Sequence, residues 1–475
     1  MAALLSQFIG HLCQLVSEGH ADNIVASVPL EPTHPFYSPL RVALSSVPSS
    51  FLDPTNIESQ IRGLSEDSKS IFVSFVASVL ANVKGAEASS SDAAAAAYGD
   101  YERLVRVYTD ANRLYGFSTP TSSGYLYPCL NPFIVNIAKL LCKLSTQAAR
   151  LSTLPGRDPR SSRSIRDQTR QIIERSTIIS RSDQTETEWS ELAAKDHIVG
   201  DNVWILSNIL FRIYAERKLH TQATELVKHL ESMSPREEKR IASRPRPVRP
   251  TDLCQSYYWR GRLGVILLNM NGAKYWLDKS WRLLPSTARQ QRRAILIRLL
   301  PVNLLLGFMP APALLKTFEL ELFIPLCHAY VTGNIVQWRA YLFSEREWFR
   351  KRGIWLLLFE RGEILVWRNL LRNTLKMYYQ THPTAPKGRC PTHVFVSAAR
   401  KVFQGSDQVE ANGFNLHDMI CVIASLIDQG YILGHLSYSQ QTLVMRPSED
   451  GMGGFPKVAG VMPRAVVASD RRSND

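Results

Sequence analysis

Leu206, Ile209, Leu210 and Ile213 fall at i, i+3, i+4 and i+7, and after a polar break from Glu216 to Gln222 the same spacing returns in Ala223, Leu226, Val227 and Leu230. Apolar residues of that period share one side of a helix, so two short helices must bury their apolar sides against each other as an antiparallel pair. The second helix then recurs: Ala223, Val227, Leu230 and Pro235 have the offsets of Ala273, Leu277, Ser280 and Pro285. Small residues where helices touch, a larger apolar residue one turn on and a closing proline describe a tetratricopeptide-like hairpin. Gly261 and Gly264 precede Ala273 where the first helix of such a hairpin must let its neighbour come close. The segment PREEKRIASRPRPVRP accounts for the wide spacing of the two copies as a Pro/Arg-rich loop.

Further apolar helical segments follow in RRAILIRLLPVNLLLG, LELFIPLCHAYVTGN and RGIWLLLFERGEILVWRNLLRNTLKMYY. Residues 195–380 therefore read as a right-handed helical-repeat solenoid, each repeat burying its apolar side against its neighbours. The pattern changes after Tyr379. THPTAPKGRCPTH is a Pro-rich joint, and beyond it Phe395, Ala398, Ala399 and Val402 share a helix face. Asn415 stands as N-cap before Met419, Val422, Ile423 and Leu426, with Gly430 placed to end that helix. Ile432, Leu436 and Tyr438 then alternate with small or polar residues, Ser439 to Gln441 make a turn, and Leu443 and Met445 alternate again. Helix, helix, β-hairpin over residues 388–446 is the order of a winged helix, and residues 447–475 read as a disordered tail. The fold class is mainly α.

Residues 1–190 read as an N-terminal helical region, with helices over 4–16, 57–83 and 133–144. Two disordered joints interrupt it: the low-complexity stretch 85–98, and 150–185, which has eight arginines, many Ser and Thr and little to bury. The most apolar run, 299–315, holds three prolines, so no transmembrane span is expected. The seven cysteines are scattered without a CxxC pair, which suits a reducing compartment, nucleus or cytosol. A net charge of +14 favours anionic partners, nucleic acid or an acidic peptide.

Between Arg350 and Lys401 the cations Arg350, Lys351, Arg352, Arg361, Arg368, Arg372, Lys376, Lys387, Arg389, Arg400 and Lys401 face only Glu360 and Glu363. Arg361, Arg368 and Arg372 recur at seven and four, and Lys376 extends the row, so they should share one helix face as a basic ridge able to track a phosphate backbone. Between Val402 and Met445 there is no Lys or Arg, while Asp407, Glu410, Asp418 and Asp428 are present. A helix meant for the major groove would not be acidic, so the winged helix is assigned to protein contacts through Met419, Ile432, Leu436, Tyr438 and Leu443. Binding on the ridge should be non-specific and salt-dependent. Trp348, Trp355 and Trp367 at helical spacing are expected to fill a core or anchor a partner. The histidines show no metal-ligand spacing, and no phosphate- or nucleotide-binding glycine motif or nucleophile elbow occurs. No cofactor, metal or catalytic residue is expected. His417, Asp418 and Cys421 share a helix turn and read as a polar cap cluster beside a buried cysteine.

The repeat block ending in FRKRGIWLLLFERGEILVWRNLLRN, joined to DMICVIASLIDQGYILGHLSYSQQTLVM, resembles the PCI proteins of the proteasome lid, the COP-nine signalosome and a translation-initiation complex. RRAILIRLLPVNLLLGFMP, the Thr332-Gly333-Asn334 turn and RKRGIWLLL bring it nearer to a PCI subfamily. That subfamily includes the fungal signalosome-associated twelfth subunit and the PCI subunit of a nuclear transcription-and-export complex. The resemblance implies a non-enzymatic scaffold coupling transcription to mRNA export, in the nucleus. The partners it implies are a larger scaffold subunit, a small acidic disordered subunit, RNA or DNA without sequence preference, and other PCI proteins. A protein-only subunit of a signalosome-like complex is the alternative.

Overall fold

The computed structural model describes residues 2–31, 34–46, 53–61, 64, 66–85, 93–119, 125–151, 159–182, 198–243, 249–404, 413–446 and 452–461. The chain is mainly α, a helical repeat followed by a winged helix. It divides into two compact units, Met1–Trp259 and Arg260–Asp475. No described helix is long and apolar enough to cross a membrane.

In the first unit α1 (Ala2–Glu18), α2 (Ala21–Ser27), α3 (Ser38–Ser46) and α4 (Pro54–Glu58) precede three longer helices, α5 (Glu66–Gly85), α6 (Ala93–Tyr115) and α7 (Asn131–Leu151). The single helix expected over 57–83 is thus two. Glu66 and Asp67 open α5, where carboxylates suit the positive end of the helix dipole. Phe75 and Phe133 pack edge to face across α5 and α7, ring centroids 5.7 Å apart. The alanines of the expected joint 85–98 begin α6, with Ala94 and Ala97 buried, because alanine is the strongest helix former. Residues 86–92 lie outside the described ones.

The larger correction concerns 150–185. Pro159–Ser182 is a helix, α8, rather than a disordered joint. It buries Ile165, Thr169, Ile173, Ser176, Thr177 and Ser180, a face with few apolar atoms. Each of its buried hydroxyls is paired. Thr169, Thr177 and Ser180 donate to carbonyls one turn back, at 2.9, 2.9 and 3.0 Å. Across the seam Ser176 donates to Asn112 Oδ1 (2.7 Å) and its Oγ lies 2.8 Å from the Tyr108 hydroxyl, which can donate to it, and Tyr101 donates to the Ile165 carbonyl (2.8 Å). Polar groups bury without penalty when each is paired. Two charged residues of α8 are held as well, Arg170 by Glu174 at 2.7 Å and Asp167 by Arg217 of the following helix.

The expected hairpins follow. α9 (Val203–Arg217) and α10 (His220–Ser243) form the first, and α11 (Pro250–Ile266) and α12 (Met270–Leu283) the second. α10 runs past Pro235 to Ser243, so the Pro/Arg-rich segment is partly helical rather than a loop. The recurrence extends to the backbone. Lys218 and Leu268 end the first helices with φ of +57° and +59°, and the amides of Leu219 and Asn269 reach back to the carbonyls of Tyr214 and Gly264, both at 2.9 Å. That is one left-handed cap used twice, fifty residues apart. Gly261 and Gly264 admit α12: a Cβ on Gly261 would stand 2.6 Å from Leu277, and one on Gly264 3.1 Å from the Ala273 backbone.

The second unit continues with α13 (Arg289–Leu305), α14 (Pro312–Thr317), α15 (Phe323–Thr332), α16 (Ile335–Ser344) and α17 (Arg346–Lys351). Trp355–Leu357, α18, passes through a π-turn at Leu358–Gly362 into α19 (Glu363–Thr381). The Trp338 ring lies against Gly362 in that turn, where a Cβ would be 2.3 Å away. The winged helix comprises α20 (Thr392–Phe403) and α21 (Leu416–Asp428), and a three-stranded antiparallel sheet of β1 (Arg389–Pro391), β2 (Gly434–Ser437) and β3 (Thr442–Met445) in the order β1-β3-β2. β1 comes from the stretch read as a mere joint, with Cys390 opposite Leu443. Asn415 caps α21 as expected, accepting from His417 N (2.8 Å) and Asp418 N (3.3 Å), and Gly430 follows it at φ +77°.

Candidate interface for nucleic acid and partners

The ridge forms on α19 and around it, with one correction. Arg361, Arg372 and Lys376 are exposed and have no carboxylate within ion-pair distance among the described residues. Arg368 is 6% exposed and does not join them. Its Nη2 donates to the Pro456 carbonyl at 2.7 Å, and its guanidinium lies 5.5 Å over the Phe455 ring. Burial, ahead of the charge of Arg372, holds its pKa below the usual arginine value. The C-terminal segment 452–461, expected to be disordered, covers that position.

This segment is tied down by main chain. The Leu433 amide donates to the Gly454 carbonyl (2.7 Å). Val458 sits beside Gly307, where a Cβ would be 3.2 Å from it. Residues 447–451 and 462–475 of the expected tail lie outside the described ones. Missing from the sequence reading are Phe455 and Pro456, whose only signal was one aromatic and one proline in a glycine-rich run.

The remaining cations are Arg350, Lys351, Arg352, Lys387, Arg389, Arg400 and Lys401. All are exposed except Arg352, which is half-buried. Its guanidinium stacks 3.7 Å over Trp348 and donates to the Trp348 carbonyl at 3.2 Å. Burial, with Arg293 and Arg298 nearby, lowers its pKa, so its charge adds to a local group of three arginines. Lys351 meets Glu347 at 3.3 Å, and both side chains are solvated, so the pair is weak. Arg400 donates to the Phe414 carbonyl at 3.0 Å while staying exposed. The tryptophans fill the chain's own clusters: Trp367 stacks on Phe414 (5.6 Å), Trp355 on Phe359 (5.0 Å), and Trp348 lies between Arg352 and Phe349.

The contact residues assigned to the winged helix need correcting too. Met419, Ile432 and Leu443 are 0–1% exposed and make the module's own core with Cys390, Phe395 and Ile423. These side chains fill a core of two helices and a short sheet, so these three are not available to a partner. Leu436 is half-buried and Tyr438 projects at 65% exposed from the β2–β3 turn, so these two remain available. Asp418 completes the cap of α21 by accepting from Asn415 N at 2.9 Å, and Cys421 is exposed rather than buried. Asp407 and Glu410 lie outside the described residues.

No family model matches the chain. A PCI domain-containing protein of Schizosaccharomyces pombe is 33% identical over 211 residues, 44% of this chain and 46% of that protein. PCI domain-containing protein 2 of Danio rerio is 30% identical over 241 residues, 50% of this chain and 54% of the other. A Neurospora crassa protein named as a CSN12 homolog is 24% identical over 267 residues, 54% of each. The chain thus spans about half the length of the relatives it matches. Helical hairpins that lead through α19 into a winged helix, together with these matches, make the chain similar to PCI proteins, PCI domain-containing protein 2 among them.

Proposed function

We propose that the chain is a non-enzymatic scaffold subunit of a nuclear complex that couples transcription to mRNA export, and that it holds nucleic acid without sequence preference. The observation that carries nucleic-acid binding is the row Arg361, Arg372 and Lys376, exposed and without carboxylate partners among the described residues, beside an α21 that bears no cation. Phosphates would meet the ridge, and the winged-helix turn at Leu436 and Tyr438 would meet protein, a larger scaffold subunit first among the partners. A small acidic disordered subunit suits a chain of net charge +14. A second reading, a protein-only subunit of a signalosome-like complex, is favoured by the Neurospora crassa relative.

Charge reversal separates the two. Arg361→Glu/Arg372→Glu/Lys376→Glu should weaken single-stranded RNA binding about tenfold or more, and flatten the salt dependence by a slope of about two. Unchanged affinity in a filter-binding titration would remove nucleic acid from the proposal and leave the protein-only scaffold. Arg368 is kept out of that variant because its role is internal. Arg368→Ala should leave RNA affinity within about twofold yet cost roughly 1–3 kcal/mol of stability, since the Pro456 carbonyl loses its donor. A melt unchanged by that substitution would refute the internal role.

A further inference from the structure

In the first unit α7, α8, α9 and the start of α11 enclose an open groove of about 950 Å³ that the ridge does not touch. Its floor is part of the stripe that helical periodicity assigns to the core. Leu206 and Leu210 are buried, but Ile209 and Ile213 on the next face of α9 are only half-covered and line the groove with Ile205. Those three isoleucines stand at i, i+4 and i+8, an aliphatic strip about 12 Å long. Leu151 continues it from α7, and the Cys142 thiol, pushed up to about 12 by burial, is a neutral apolar wall.

The rim is basic. Lys143 and Arg166 are exposed and have no carboxylate partner among the described residues. Arg212 pairs with Glu216 at 3.1 Å, but both side chains are largely solvated and the pair is easily exchanged. Within the groove Asn208, 3% exposed, donates through Nδ2 to the Asp252 carbonyl at 2.8 Å, while its Oδ1 accepts from nothing among the described residues.

We propose that this groove is the docking site for an amphipathic helical segment of a partner protein, carrying an aliphatic stripe flanked by acidic residues. The strip of isoleucines has helical period, the receptor side of a helix-in-groove contact. Carboxylates on the flanks would meet Lys143, Arg166 and Arg212. Among the described residues no aromatic side chain lines the groove, so they offer no stacking platform of the kind a nucleic-acid strand uses. The proposal rests on the scaffold reading only in requiring a partner.

The probe is a fluorescein-labelled peptide of about 18 residues, with leucines at i, i+4 and i+7 and glutamates on both flanks, titrated against the full chain by anisotropy. Saturable binding is expected, weakened about tenfold or more by Lys143→Glu/Arg166→Glu and by Ile209→Asp. It should be unchanged by Arg361→Glu/Arg372→Glu. The surface double variant carries the test if Ile209→Asp does not fold. Absence of saturable binding overturns the proposal, as does equal affinity for a peptide of the same composition with its stripe scrambled. Competition by single-stranded RNA that is lost in the Lys143→Glu/Arg166→Glu variant would give the groove to nucleic acid and also overturn it. Either failure leaves the ridge measurements standing, because those report on RNA at other residues.

Discussion

Gly333→Val is expected to cost the second unit roughly 3–5 kcal/mol, read as a fall in melting temperature of about 10 °C. Gly333 ends α15 with φ of +77°, and the amide of Asn334 reaches back to the Ala329 carbonyl at 3.0 Å, the same cap that Lys218 and Leu268 make. Two non-glycine residues therefore bear the left-handed conformation elsewhere in the repeat. Position 333 differs in what lies above it. A Cβ there would stand 2.5 Å from both the nitrogen and the Cα of Leu370 in α19, and backbone cannot step aside as a side chain can. Conformational strain and collision add, and a β-branched residue is worst placed to relieve either. Lys218→Gly or Leu268→Gly should move the melt little. A Gly333→Val chain melting within about 1 °C of the parent would mean that α15 and α19 are not packed as described.

The second large effect belongs to the first unit. Asn131→Ala should cost roughly 3 kcal/mol, more than Tyr115→Phe, because it opens a closed and buried network. Asn131 Nδ2 donates to the Ile198 carbonyl (2.6 Å), and its Oδ1 accepts from the Tyr115 hydroxyl (2.8 Å) and from Asn202 Nδ2 (3.2 Å). The same hydroxyl lies 3.0 Å from both Ser180 Oγ and the Val199 carbonyl. Four segments, α6, α7, α8 and the turn Val199–Asn202, meet in it. With alanine, several buried polar groups lose partners together, whereas the Tyr115→Phe chain keeps the Asn131–Asn202 contact. Arginine-rich α8 offers tryptic sites, so limited trypsinolysis should cut it faster in the Asn131→Ala chain. Equal cleavage rates and equal melts would contradict a network that holds α8 in place.

Much of the architecture was legible before any coordinates. The stripes at Leu206 to Ile213 and Ala223 to Leu230, the glycines before Ala273, and the Asn415 cap with Gly430 each became the element they implied. They share a property: local periodicity and backbone preference decide them, and neither depends on distant residues. The misread elements share the opposite one. α8 looked solvated because Ser and Thr carry no apolar signal, and its burial depends on Tyr101, Tyr108 and Asn112, which lie about sixty residues earlier. β1 is a strand only because β3 arrives to pair with it.

The candidate site divides the same way. Charge and spacing alone picked out Arg361, Arg372 and Lys376 as a row, since residue type and helical period set both. Which of the row's arginines meet solvent was decided by a segment nearly ninety residues further on, where Pro456 and Phe455 close over Arg368. Likewise Ile209 and Ile213 belong to an apolar stripe by sequence, but only the placement of α7 and α8 leaves them facing an open groove. Periodicity states which faces can be buried. Burial itself is a property of what the rest of the chain brings against them, and that is settled by tertiary packing.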